Sequence, residues 1–281
     1  MRLAVVAALM AMAVPAFGQI VLDHHEELSA EQARQLVEKN ERALHLWVTT
    51  LPLDVATVFS TYEGDLSLDF LTTISAEAAE ALAKHKGSLS LRGLYSLSGD
   101  QAEALAMCEG TLSLEGLPEL SLEAARALAK HKGLLSLGGL TALPVPQAEA
   151  LAKHEGGLAF RSLVTLSDRQ AEALAKSEEW LALDGRTSLT PEGVEILAKH
   201  KGDLSISGLT SLSVDQAEAF ARHQGSLRLD GVTTLSTEAA EALAKHEGYG
   251  LIERVDGRIR LTERGLLLSN ELFVDLLPDD E

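Results

Sequence analysis

The chain has 281 residues, with 24 Lys and Arg against 42 Asp and Glu, for a formal net charge of −18. That balance argues against nucleic acid as a partner, and aromatic residues, at 4%, are too few for a base-stacking groove or a ring-built carbohydrate platform. Cys108 is the one cysteine, so a disulfide within the chain is excluded.

At the N-terminus, Arg2, the apolar run Leu3 to Val14 and the small residues Ala16 and Gly18 form a signal-peptide pattern, with cleavage expected before Gln19. A membrane-spanning helix needs about 20 apolar residues, and this run is too short. No second hydrophobic stretch follows it. The expectation is an exported chain, periplasmic or extracellular, with no membrane span. Residues 19–27, which include Asp23, His24, His25, Glu26 and Glu27, read as a polar lead-in rather than a ligand cluster.

From Leu28 the same phrase restarts ten times at a 23-residue step, best seen as ISAEAAEALAKHKGSLSLRGLYS over residues 74–96. Its apolar anchors are Leu28, Leu51, Ile74, Leu97, Leu120, Leu143, Leu166, Leu189, Leu212 and Leu235. Self-similarity at such a period signals a solenoid of stacked units. Ser75 to Lys86 predicts a helix, with Ser75 as N-cap, Glu77 in the first turn, and Gly87 ending it at positive φ. Leu89, Ser90 and Leu91 alternate in polarity and predict a short strand, after which Gly93 and Leu94 turn the chain.

Equal positions then form ladders. The Leu82 position is always large and apolar, and the Ala79 position is alanine in every unit except Val194, which lets helices approach closely. Burying about five leucine-sized side chains stabilises a unit by roughly 10 kcal/mol. Ordering its residues costs about 1 to 2 kcal/mol each, so a unit folds only when stacked. On the helix exterior, Glu80 with Lys84, Glu149 with Lys153, Glu172 with Lys176, Glu195 with Lys199 and Glu241 with Lys245 have the spacing of i,i+4 ion pairs.

The 23-residue period, Leu-x-Leu strands and short return helices over residues 28–248 resemble a leucine-rich-repeat protein. The resemblance implies an α/β solenoid of ten 23-residue strand–helix units. The asparagine ladder of that family is missing: its position is held by Leu94, Leu117, Leu140, Leu163 or Leu209, and a glycine column including Gly93, Gly116 and Gly139 stands beside it.

His85, His131, His154, His200, His223 and His246 form another column, interrupted by Cys108 and Ser177. Cationic or hydrogen-bonding groups near helix carbonyl ends are expected there rather than a metal site. A serine elbow, a phosphate-cradling glycine loop and a helical histidine pair around a glutamate are all absent, so neither catalysis nor a cofactor is expected.

Side chains between the strand leucines point away from the core and are the candidate binding surface. One outward column holds Ser67, Ser90, Ser113, Ser136, Ala159, Ala182, Ser205 and Arg228. The other holds Asp69, Arg92, Glu115, Gly138, Arg161, Asp184, Ser207 and Asp230. The seventh unit breaks the pattern twice, with Trp180 and Arg186, residue types enriched in binding hot spots. The expected function is that of an exported scaffold for an unidentified protein partner; the alternative is a purely structural envelope or surface protein without a specific ligand.

Residues 249–281 leave the repeat. Asp256-Gly257 predicts a two-residue hairpin turn between Leu251–Val255 and Arg258–Leu261, and Thr262 caps a final amphipathic helix. Together they are expected to cover the last unit as a cap. LTERGLLLSNELFVDLL in this tail resembles the winged-helix-like C-terminal end of oxygen-independent coproporphyrinogen oxidase-like radical enzymes. Such enzymes use three clustered cysteines and this chain has one, so the resemblance implies no activity.

Overall fold

The computed structural model describes residues 28–39, 42–185 and 189–243, with the backbone of residues 252–255 and 258–261. Strand and short helix alternate along it. The elements are α1 Ala30–Lys39, β1 Ala43–His45, α2 Leu53–Phe59, β2 Asp65–Ser67, α3 Ala76–Leu82, β3 Leu89–Ser90, α4 Gly99–Leu105 and β4 Leu112–Ser113. They continue with α5 Leu122–Leu128, β5 Leu135–Ser136, α6 Val145–Leu151, β6 Leu158–Phe160, α7 Asp168–Leu174, β7 Leu181–Leu183, α8 Pro191–Leu197 and β8 Leu204–Ser205. The series closes with β9 Ser211–Leu212, α9 Val214–Ala221, β10 Leu227–Arg228, β11 Thr234–Leu235, α10 Thr237–Leu243, β12 Ile252–Val255 and β13 Arg258–Leu261.

Nine strands, β1 to β8 and then β10, form one parallel sheet in chain order, and each helix packs on the next. The fold is thus an α/β, leucine-rich-repeat-like solenoid. From β2 onward the register repeats the sequence period, Leu66 opposite Leu89, Leu89 opposite Leu112, and so on to Leu204 opposite Leu227. The first strand departs from it: Leu44 lies opposite Leu66, a step of 22. The anchors keep their spacing there, but the strand of the first unit is displaced by one residue. A further parallel pair, β9 with β11, links the anchors Leu212 and Leu235.

From α2 onward each helix is shorter than the sequence suggests. Ser75 caps α3 by accepting from the Ala78 amide at 3.1 Å, but the helix stops at Leu82 rather than Lys86. The amide of His85 then donates to the Leu82 carbonyl at 2.9 Å, a tighter turn that brings the chain back to the strand beginning at Leu89. Lys84 therefore lies beyond the helix. Among the described residues no ion pair joins Glu80 to Lys84, or Glu149 to Lys153, Glu172 to Lys176 and Glu195 to Lys199. Lys86 and Lys130 reach the preceding unit instead, Lys86 to Glu63 at 3.4 Å and Lys130 to Glu103 at 2.6 Å, while Arg34 pairs within α1 with Glu31 at 3.1 Å. Lys245 lies outside the described residues.

Gly87 does not adopt the expected positive φ. A Cβ on it would overlap the Gly64 carbonyl, and the same clash recurs at Gly133 against Gly110. The glycine column exists because successive turns touch backbone to backbone. Gly93, Gly116 and Gly139 stand equally close to carbonyls of the preceding unit. The satisfaction that an asparagine ladder would give comes partly from glutamine: Gln101 Nε2 donates to the Ile74 carbonyl at 2.5 Å, and Gln147 Nε2 to the Leu120 carbonyl at 3.3 Å.

The core is a continuous leucine stack, with Leu66, Leu68 and Leu71 of one unit and Leu89, Leu91 and Leu94 of the next all fully buried beneath Leu82. Beyond the repeat, β12 and β13 pair antiparallel with Val255 opposite Arg258, as expected of the two hairpin strands. The turn residues Asp256 and Gly257, the amphipathic segment from Thr262, and the signal-peptide segment lie outside the described residues. Among those described, no helix is long and apolar enough to cross a membrane.

Candidate functional site

The two outward columns behave differently. Ser136, Ala159, Ala182 and Ser205 are buried despite facing away from the core. Longer side chains of the second column lean over the first: Ser136 Oγ donates to Glu115 at 2.9 Å and Ser205 Oγ to Asp184 at 2.7 Å. The expected flat floor of small residues is therefore largely roofed by the charged column.

That column divides into separate groups. Asp69 accepts from Ser67 Oγ at 2.9 Å, from Ser90 Oγ at 2.5 Å and from the Arg92 amide at 3.2 Å. Arg92 and Arg161 converge on Glu115. Arg92 donates through Nε to Oε2 at 2.8 Å, with Nη2 on the same oxygen, and Arg161 donates through Nη1 to Oε1 at 3.0 Å. Gly138, in the turn after β5 between Glu115 and Arg161, supplies no side chain to block the second bridge. At the far end Asp184 accepts from Ser205 and from Ser207 at 2.9 Å, while Arg228 approaches Asp230 at 3.7 Å. Partial burial raises the Asp230 carboxyl above its ordinary value; Arg228 opposes that shift and the charge of Asp184 adds to it.

Trp180 is outward-facing and half-buried, with its ring beside Gly157. Arg161 is engaged with Glu115, and among the described residues no ion pair joins it to Asp184. Arg186 lies outside the described residues. The structure thus places Trp180, Asp184 and Arg161 on one face without assembling them into a single cluster.

Sequence reasoning missed an aromatic pair on this face. The displaced register aligns Trp47 with Asp69, in the second outward column, and its ring meets Phe70 at a centroid distance of 5.1 Å and an interplanar angle of 36°. Phe70 is 45% exposed. A uniform step of 23 back from Asp69 lands on the core residue Leu46, so the repeat pattern itself concealed Trp47.

The described histidines of the column are buried, and His246 lies outside the described residues. His85, His131, His154, His200 and His223 are at most 3% exposed, and burial holds the imidazoles of His131, His154 and His200 below their ordinary value. Several do hydrogen-bond backbone carbonyls, as expected. Among the described residues no three His, Cys, Asp or Glu side chains are placed to hold a metal ion.

No protein-family model matches the chain, and no curated protein matches it. Among solved structures, a leucine-rich-repeat protein of Leptospira interrogans is similar over 74% of this chain and 66% of its own, with 19% identity and a TM-score of 0.34. The likeness of the C-terminal tail to coproporphyrinogen oxidase-like enzymes finds no support in these comparisons.

Proposed function

We propose that this chain is an exported, non-catalytic scaffold that captures a protein partner on the outward face of its sheet. The observation that carries the reading is the placement of large aromatic side chains on that face, Trp47 with Phe70 near its start and Trp180 in the seventh unit, where most units present small or charged residues. Aromatic rings and arginine dominate the energetics of protein interfaces. Between the rings, Asp69, Arg92, Glu115, Arg161 and Asp184 supply a mixed-charge surface, with Arg228 and Asp230 at the far end and Arg186 six residues after Trp180 in the same unit. Export rests on the signal-peptide pattern of residues 1–18.

A second reading, a structural envelope protein with no specific ligand, is favoured by one observation. The charges of the face pair with one another, Arg92 and Arg161 both holding Glu115. The two readings separate in one experiment. The mature chain, immobilised, is offered the envelope fraction of the exporting cell beside its Trp180→Ser and Trp47→Ser variants. A scaffold retains a saturable partner whose capture weakens by about 2 kcal/mol or more in a variant that removes a hot spot. Failure to retain any protein, or equal retention by all three chains, overturns the proposal in favour of the structural reading.

A further inference from the structure

The histidine column carries a second possibility, independent of any partner. His131 and His154 stack with ring centroids 5.8 Å apart and planes inclined by 11°, and His200 stacks on His223 at 6.3 Å and 7°. His154 donates through Nε2 to the Gly133 carbonyl at 2.9 Å, and His200 through Nε2 to the Glu179 carbonyl at 2.8 Å. A neutral imidazole has one donor and one acceptor nitrogen. The carbonyl therefore fixes the proton on Nε2 and leaves Nδ1 as the basic atom, which in both rings is buried without a hydrogen-bond partner. His131 lies among backbone groups of Ala106, Cys108, Gly110 and Leu134, yet neither of its nitrogens reaches a hydrogen bond. Backbone carbonyls approach each ring, Ala106 for His131, Ala129 for His154 and Ala175 for His200, but none completes a hydrogen bond to the free nitrogen, so a second proton would be a buried N–H with a poorly placed acceptor, beside another imidazole.

We propose that this column is an acid-operated joint: protonation of His131, His154 and His200 parts neighbouring units at their helix-to-strand turns while the sheet between them stays stacked.

The electrostatics agree in sign. Burial is the first cause that holds these three imidazoles low, and the neighbouring ring acts in the same direction, His131 on His154 and His223 on His200. Beside the paired rings themselves, Cys108 lies by His131, the Asp203 carboxylate lies by His200 and His223 and opposes the shift, and Glu195, Lys199, Lys201 and Arg222 line the hollow around His200. An opened turn returns each imidazole to about 6.5, so the open state binds more protons than the closed one. Opening is unassisted above about pH 6.5 and is favoured by up to about tenfold per histidine for each pH unit between about 6.5 and the lowered value of the closed state. Contacts in a solenoid run between neighbours, so the response is local rather than global. Two units lack the histidine: Cys108 Sγ donates to the Leu82 carbonyl of the preceding unit at 3.4 Å, whereas Ser177 Oγ donates to the Leu174 carbonyl of its own helix at 2.8 Å.

Amide exchange of the full chain, followed by mass spectrometry at about pH 7 and about pH 5 and corrected for intrinsic rates, tests the joint. Segments 128–135 and 197–204 are expected to exchange about tenfold or more faster in acid, with segments 99–105 and 145–151, within helices α4 and α6, responding less. The triple variant His131→Ser, His154→Ser and His200→Ser is expected to lose that acceleration. In case the variant fails to fold, imidazole resonances of the unaltered chain give a second reading: the rings of His131, His154 and His200 should titrate below the ordinary imidazole value of about 6.5. Acid acceleration spread evenly over turns and helices, its persistence in the triple variant, or buried rings titrating near about 6.5 in the folded chain would overturn the proposal.

Discussion

Arg161 donates to Glu115 at 3.0 Å from two strands away, passing over Gly138, while Arg92 holds the other carboxylate oxygen. One carboxylate thus ties four units together. The contribution to stability is modest, since the two arginine side chains are 47% and 55% exposed and water screens both pairs. A double-mutant cycle on Arg161→Ala and Glu115→Ala is expected to give a coupling of about 0.2–1 kcal/mol that falls as salt is raised. A coupling that salt leaves unchanged would show the bridge to be more than a surface ion pair.

Two glycines of the fifth unit should respond very differently to a single methyl group. At Gly133 the added Cβ meets the Gly110 backbone carbonyl, which cannot move without displacing a neighbouring turn. At Gly138 the nearest atom is Glu115 Cγ at 3.1 Å, part of a flexible side chain. Gly133→Ala is therefore expected to destabilise by about 1–3 kcal/mol in urea unfolding, and Gly138→Ala by about 0.5 kcal/mol or less. Equal losses would contradict the backbone-contact explanation of the glycine column.

The architecture was legible in the sequence because the repeat writes its core at a fixed step: Leu82, Leu89, Leu91 and Leu94 are each buried where periodicity put them. What escaped depends on neighbours rather than on period. Positive φ at Gly87 was a local inference, and the structure replaces it with contact between units. The i,i+4 pair of Glu80 and Lys84 assumed a longer helix than the returning chain permits. Trp47 was hidden by a single-residue displacement in the first strand. The lowered basicity of His131, His154 and His200 could not be read from their spacing, since it depends on burial that only stacking creates.

Cys108 replaces histidine in that column and should be chemically silent. Burial pushes its thiol up to about 12, and the side chain donates to the Leu82 carbonyl. The nucleophile in thiol modification is the thiolate, so at about pH 8 the folded chain is expected to resist a disulfide reagent. Labelling in increasing urea should follow the unfolding curve monitored by circular dichroism. Rapid labelling without denaturant would show that this turn opens far more readily than its neighbours.

Deleting residues 97–119 removes one whole unit and should leave a shorter folded chain. Leu89 would then meet Leu135, the partner of the lost Leu112, and His85 would take the place of Cys108 against His131. The deletion also removes Glu115, leaving Arg92 and Arg161 without their shared carboxylate, so a small stability loss beyond that of the missing unit is expected. Deleting residues 97–108 alone removes α4 but keeps β4, so strand follows strand with no helix to return the chain and close the core. Circular dichroism and thermal melting should show a cooperative transition for the first deletion and a collapsed or absent one for the second. If both deletions melt alike, stability does not depend on whole units stacked in register, and the repeat as the unit of folding would have to be abandoned.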